Sequence, residues 1–96
     1  MNRDPKFHFR LYVAGDTHNS TQARANLAAF CRNYLPDRYE IEVFDVLREP
    51  KRALADGVFL TPALVRLKPL PVRKIIGNLR HTEVLLHALG LEKMLA

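Results

Sequence analysis

Residues 61–77 read TPALVRLKPLPVRKIIG, and the reading of this stretch decides the fold. It is rich in Val, Ile and Leu, which favour strand. It also carries three prolines, Pro62, Pro69 and Pro71. Proline has no ladder donor and sits at strand starts, edges or bulges. The stretch therefore reads as two short strands, ALVRL and PVRKIIG, close enough in sequence to form an antiparallel hairpin. VFL, just upstream, is a further strand-like run, separated by Thr61 and Pro62. Arg66, Lys68, Arg73 and Lys74 supply four cations within the stretch, and it holds no acid.

Working outward, FHFRLYV alternates, with Phe7, Phe9, Leu11 and Val13 on one side and His8, Arg10 and Tyr12 on the other. That is a strand with one strongly apolar face. AGDTHNS follows as a loop; Asn19 or Ser20 can cap a helix, with Gln22 placed as in a capping box. The helix runs to about Leu35, with Ala23, Leu27, Phe30, Cys31 and Tyr34 on one face. YEIEVFDV is a second strand, with Tyr39, Ile41 and Val43 opposite Glu40 and Glu42. Strand, helix and strand in this length predict a parallel unit with a right-handed crossover. Pro50 opens a short helix and Gly57 ends it. After Gly77 and Asn78 turn the chain, a last helix buries Val84, Leu85, Ala88 and Leu89, and Gly90 ends or kinks it. The predicted class is α/β, in the order βαβαββα, a thioredoxin-like arrangement with a mixed central sheet.

The chain of 96 residues fits one domain spanning 1–96. Its apolar content of 48% is that of a globular fold. There is no apolar run of membrane-helix length and no signal-peptide pattern at the start, so a cytoplasmic location is the default. The net charge is +5 and unevenly placed: no acid lies between Asp56 and Glu83, where Arg66, Lys68, Arg73, Lys74 and Arg80 fall. Such a face suits an acidic partner, and the alternative is an ordinary solvated surface.

A thioredoxin-like enzyme places a reactive cysteine after the first strand, where a helix N-terminus lowers the thiol pKa. Here that segment is AGDTHNS, and the one cysteine, Cys31, lies deep in the helix on its apolar face. It reads as a small core hydrophobe. One cysteine excludes dithiol chemistry. His8, His18, His81 and His87 are scattered without ligand spacing, so no metal is expected. No phosphate-binding GxxxxGK[ST] loop occurs. Single-strand nucleic-acid binders interleave aromatics with cations; the basic window holds only Phe59, so nucleic acid ranks below a protein partner.

LYVAGDT, YEIEVFDVLREP and TPALVRLKPLPVRKIIGNL, in this order and spacing, resemble the KaiB family, the small component of the bacterial Kai timing system. The resemblance spans about residues 7 to 89. It implies no catalytic reaction and no cofactor. It implies a circadian, timing or stress-response regulator that binds KaiC, a hexameric ATPase and autokinase. A thioredoxin-like histidine-kinase sensor domain is the implied competitor. It also implies two folds: a thioredoxin-like monomer and a rearranged βαββααβ form that assembles as a homotetramer, so a dimer or tetramer is expected. On this resemblance Arg66, Pro71, Arg73 and Lys74 are the candidates for the KaiC-facing surface. Pro62, Gly77 and Ala88 are the candidates for the switch between folds. Cis peptides are implied before Pro62 and near Pro71.

The sequence also departs from the family pattern. Glu40 and Glu42 stand where an apolar residue and a base are usual, which argues against a KaiA-type partner. Gly57 replaces a common lysine, Leu70 interrupts a proline run, and Arg80 stands at the expected helix cap. Ala88 replaces a glycine, which favours helix by roughly 1 kcal/mol and biases the chain toward the thioredoxin-like form. Two further readings remain beside this one: a KaiB-fold stress protein acting without KaiC, and a redox protein using Cys31.

Overall fold

The computed structural model describes residues 6–91. The elements are β1 (Phe7–Val13), α1 (His18–Tyr34), β2 (Tyr39–Asp45), α2 (Pro50–Ala55), β3 (Ala63–Lys68), β4 (Arg73–Ile76) and α3 (Thr82–Ala88). The sheet order is β2-β1-β3-β4. β1 and β2 are parallel, and β3 runs antiparallel to both β1 and β4. This is the expected thioredoxin-like βαβαββα fold with a mixed sheet, and the rearranged order is not the one adopted.

Alternation in β1 decides where the core sits. Phe7, Phe9, Leu11 and Val13 join Leu27, Phe30 and Cys31 of α1 and Leu85 and Leu86 of α3 in the main core. The opposite face is not simply solvated. Tyr12 is fully buried and, with Ala53, Val58, Ala63 and Val65, forms a second, smaller core under α2. β1 and β3 are the inner strands of the sheet, so both of their faces are covered where α2 crosses.

Several local expectations are corrected. α1 begins at His18 with Thr17 at its N-cap, and no side chain caps it. Ser20 is instead buried, and its Oγ accepts the Ala14 amide at 3.1 Å, tying the end of β1 to α1. VFL forms no strand: Val58 enters the second core, while Phe59 and Leu60 face solvent. In α3 the buried stripe is Leu85, Leu86 and, just past the helix, Leu89. Val84, expected inside, is 57% exposed, and Ala88 is half-buried. A helix of seven residues presents only one narrow stripe to the sheet, and 85, 86 and 89 use it. Its N-cap is His81, not Arg80. Gly90, at φ 72°, ends it.

Peptide bonds before Pro62, Pro69 and Pro71 are cis. The first and third match the resemblance, and the one before Pro69 is additional.

Candidate functional site

The C-terminal face is built around β3. Its strand alternation places Leu64 and Arg66 on the main-core side and Val65 on the second-core side. β3 lies between β1 and β4, so the Arg66 side chain has no route to solvent along the sheet. Arg66 is 5% exposed. Its guanidinium donates to the Leu89 carbonyl at 2.7 Å and to the Pro71 carbonyl at 2.8 Å, while Nε is buried without a partner. Burial, with Arg73 beside it, lowers its pKa from the usual arginine value. The expectation that Arg66 faces a partner therefore does not fit this fold. It is an internal brace that joins the end of α3 to the 69–72 turn.

The brace fixes what the turn displays. Leu70, Pro71, Val72, Arg73 and Lys74 are all exposed. Leu70 is 76% and Val72 49% exposed, so apolar groups stand beside the two cations. Lys74 Nζ lies 3.4 Å from the Gly57 carbonyl, which links β4 to the end of α2. Gly57 has φ 69°, and an added Cβ would fall 2.5 Å from that ammonium. The three surface candidates Pro71, Arg73 and Lys74 are thus all exposed, but the ladder sets Arg73 across from Arg66 and Lys74 across from Val65, so the two cations stand on opposite faces of β4.

The switch candidates fall in two places. The Gly77 amide donates to the Pro62 carbonyl at 2.9 Å, so these two residues meet at the end of the β3–β4 hairpin. Gly77 holds φ 125°, a conformation that favours glycine. Ala88 is apart from them, at the end of α3. The turn after Gly77 is pinned to α1: Asn26 donates to the Asn78 carbonyl at 2.8 Å, and Asn78 donates to Gln22 Oε1 at 3.1 Å. Leu79 then takes φ 64°, which is unfavourable for a branched residue, but its side chain is buried in the main core.

A polar cluster that the sequence did not reveal ties α2 to β1. The Tyr12 hydroxyl donates to Asp56 Oδ2 at 2.5 Å, and Arg10 Nη1 donates to the same oxygen at 3.1 Å. Burial alone would raise the Asp56 pKa, but the hydrogen bonds from Tyr12 and Arg10 outweigh it and hold the carboxyl below its ordinary value. Burial, then Asp56, push the Tyr12 phenol up to about 12. Arg52 stacks over Phe44 at 4.4 Å. The signal available in the sequence was Tyr12 itself, in phase with His8 and Arg10 on the side opposite the core.

The cluster continues along the sheet edge. Arg10 Nε lies 3.4 Å and His8 Nε2 3.2 Å from Glu42, and Lys6 Nζ lies 2.8 Å from Glu40. The register pairs His8 with Glu40 and Arg10 with Glu42, so the two acids of β2 meet the bases of β1 across the ladder.

At the end of β1, the Gly15 amide faces Asp45 Oδ1 at 3.3 Å, and no thiol is near. Cys31 is fully buried some 13 residues beyond the start of α1, about 20 Å along its axis. Burial pushes its thiol up to about 12, so the reactive thiolate is scarcely populated at neutral pH. Among the described residues, no group of three His, Cys, Asp or Glu side chains comes together as a metal site, and no helix is long and apolar enough to cross a membrane.

Comparison with known proteins agrees with this architecture. A family model, the KaiB domain, matches residues 10–91. The circadian clock protein KaiB3 of Synechocystis sp. is 41% identical over 83 residues, covering 86% of this chain and 79% of that protein. The circadian clock oscillator protein KaiB of Prochlorococcus marinus is 43% identical over 82 residues, covering 85% and 69% respectively. Among solved structures, the N-terminal domain of Synechococcus elongatus SasA superposes with a TM-score of 0.76 at 16% identity, covering 100% of this chain and 90% of that one. Mitochondrial thioredoxin 3 of Saccharomyces cerevisiae gives 0.70 at 18%, covering 95% and 81%. These two likenesses show the thioredoxin-like fold, and the sequence matches show the family: the chain belongs to the KaiB family.

Proposed function

We propose that this protein is a non-enzymatic, cytoplasmic regulator in a Kai-type timing or stress-response system, and that it binds a KaiC-type hexameric ATPase. One observation carries the reading: in a chain of the KaiB family, a buried arginine holds the turn at Pro71, which leads the exposed apolar and cationic residues 70–74 into the edge strand. An exposed Leu70 and Val72 beside Arg73 and Lys74 have the composition of a protein-docking surface. The cations steer encounter with an acidic ring face, and the apolar groups hold the complex once formed. Arg66 acts from beneath, by setting the turn that presents Pro71.

The non-enzymatic reading rests on Cys31, whose burial and raised pKa favour the core role over redox chemistry. Glu40 and Glu42 are already engaged by Lys6 and Arg10, which weighs against a KaiA-type contact along β2. A thioredoxin-like sensor kinase is the proposed competitor for the ATPase. The protein exchanges between this fold and a rearranged oligomer, a dimer or tetramer, with the Pro62–Gly77 hydrogen bond at the hinge and Ala88 favouring the present form.

Size-exclusion co-elution with the cognate KaiC-type ATPase, in ATP and in ADP, tests the reading. Co-elution in at least one nucleotide state is expected, with loss on the double change Arg73→Glu and Lys74→Glu. Absence of co-elution in both states rejects the ATPase as partner.

A further inference from the structure

β4 is an edge strand, flanked by β3 on one side and by no strand on the other among the described residues. The Gly77 amide donates inward to Pro62, and alternate residues of a strand point their backbone groups to opposite sides. Arg73 and Ile75 therefore bond toward β3, while Lys74 and Ile76 direct their N–H and C=O groups outward. A groove of about 190 Å³ lies beside this edge, between β4 and α3, with Ile76, Leu79 and Val84 among its walls. Ile76 is 52% and Val84 57% exposed. The groove is smaller than the roughly 300–1,000 Å³ of small-molecule pockets, and suits an aliphatic side chain rather than a cofactor. Arg80 and His81 also line it, and Arg73 and Lys74 stand exposed along the strand. Glu83 lies on α3 beside the groove, and Asp56 lies close enough to Lys74 to interact with it but is itself bonded by Tyr12 and Arg10, so the cations Arg73, Lys74 and Arg80 leave this edge positive.

We infer that the β4 edge and its groove receive an extended segment of a partner protein, alternating aliphatic with acidic residues, as an added strand. Main-chain bonds to Lys74 and Ile76 give the pairing, the groove takes an aliphatic side chain, and the cations select acids. A second copy of this chain fits less well. Its own β4 brings like charges, and the Glu40 and Glu42 of its β2 are already paired with Lys6 and Arg10. The ATPase reading above bears only on which protein carries the segment; the groove's chemistry stands without it.

The test is an NMR titration of the full chain with a capped hexapeptide alternating valine with aspartate or glutamate. A counterpart with lysines in place of the acids is the control. Shifts are expected at Lys74, Ile76 and Val84, with amide exchange at Lys74 and Ile76 slowed about tenfold or more at saturation. The lysine peptide should bind at least about fivefold more weakly. Ile76→Pro removes an outward N–H without touching the β3 ladder, and should abolish binding. Val84→Asp, at an exposed position, should weaken it and serves if the proline variant fails to fold. No shifts, shifts elsewhere, or equal affinity for the two peptides overturns the inference. Protection of Lys74 and Ile76 that rises with protein concentration alone assigns the edge to a second copy and also overturns it. None of these outcomes depends on whether the ATPase co-elutes.

Discussion

β1 and β2 pair along seven residues each, in parallel, and a 17-residue helix closes their crossover. β3 and β4 pair along only four positions, between segments that turn at Gly57, Pro62, Pro69, Pro71 and Gly77. The first region needs little beyond its own periodicity. Every apolar residue of β1 that points toward α1 is buried, and α1 meets it with Ala23, Leu27, Phe30 and Cys31. Beyond the β1–β3 ladder and its share of the core, the second region relies on polar ties: Arg66 to the carbonyls of Leu89 and Pro71, Asp56 to Tyr12 and Arg10, and Asn78 to Gln22 and Asn26. Two of these three ties end on the first region. The contrast teaches that the N-terminal unit is the template, and that the C-terminal half joins it through the β1–β3 ladder, the shared core at Leu64, Leu85 and Leu86, and these polar ties.

The contrast predicts unequal responses to mutation. The largest effect belongs to the template. Phe9→Ala removes a fully buried ring from the main core and should cost about 3–5 kcal/mol, lowering the denaturant midpoint of the whole chain. If only the C-terminal amides lost protection, the template assignment would be reversed.

Arg66→Met comes next, at about 1–3 kcal/mol, because it leaves the Leu89 and Pro71 carbonyls without their donor. Amide exchange should quicken at Leu89, Gly90 and Leu91, while β1 and α1 keep their protection. Uniform loosening of the chain would contradict a local brace.

Asp56→Asn weakens the fastening of α2 to β1, by about 1 kcal/mol near neutral pH. The sign of its pH dependence follows from the lowered native pKa. The Asp56 contribution is full above its unfolded value of about 3.8 and is lost as pH falls through the lower folded value. The unsubstituted chain and the Asp56→Asn variant should therefore converge in stability below about pH 3.8, as followed by acid unfolding at fixed denaturant. A constant difference across that range would count against the charged state of Asp56 as the tie.

The smallest effect is at Ala88→Gly, up to about 1 kcal/mol and less because the residue ends the helix. Its fingerprint is reduced helical protection at 83–88 with β1 and α1 unchanged.

The first strand, the helix after it and the second strand could be read from sequence because period two and period 3.6 are properties of the chain itself. Cys31 could be placed for the same reason: it falls in phase with Leu27 and Tyr34. Arg66 could not, although a clue was present. It alternates with Leu64, and only knowledge that β3 lies between two strands turns that alternation into burial. Val84 was misplaced because a seven-residue helix has room for two stripes on paper but packs only one. The Asp56 cluster was invisible, since its members are separated by 44 and 46 positions along the chain.

What the sequence determined by itself was the element order, the prolines that divide 61–77 into two strands, the family, and the acid-free basic window. Those follow from local geometry and composition. The tertiary structure alone decided which of the basic residues are surface and which is internal, which edge of the sheet is open, and where apolar groups stand beside the charges. Burial and pairing are relations between distant segments. A chain carries no local mark of them until the sheet order brings β3 between β1 and β4.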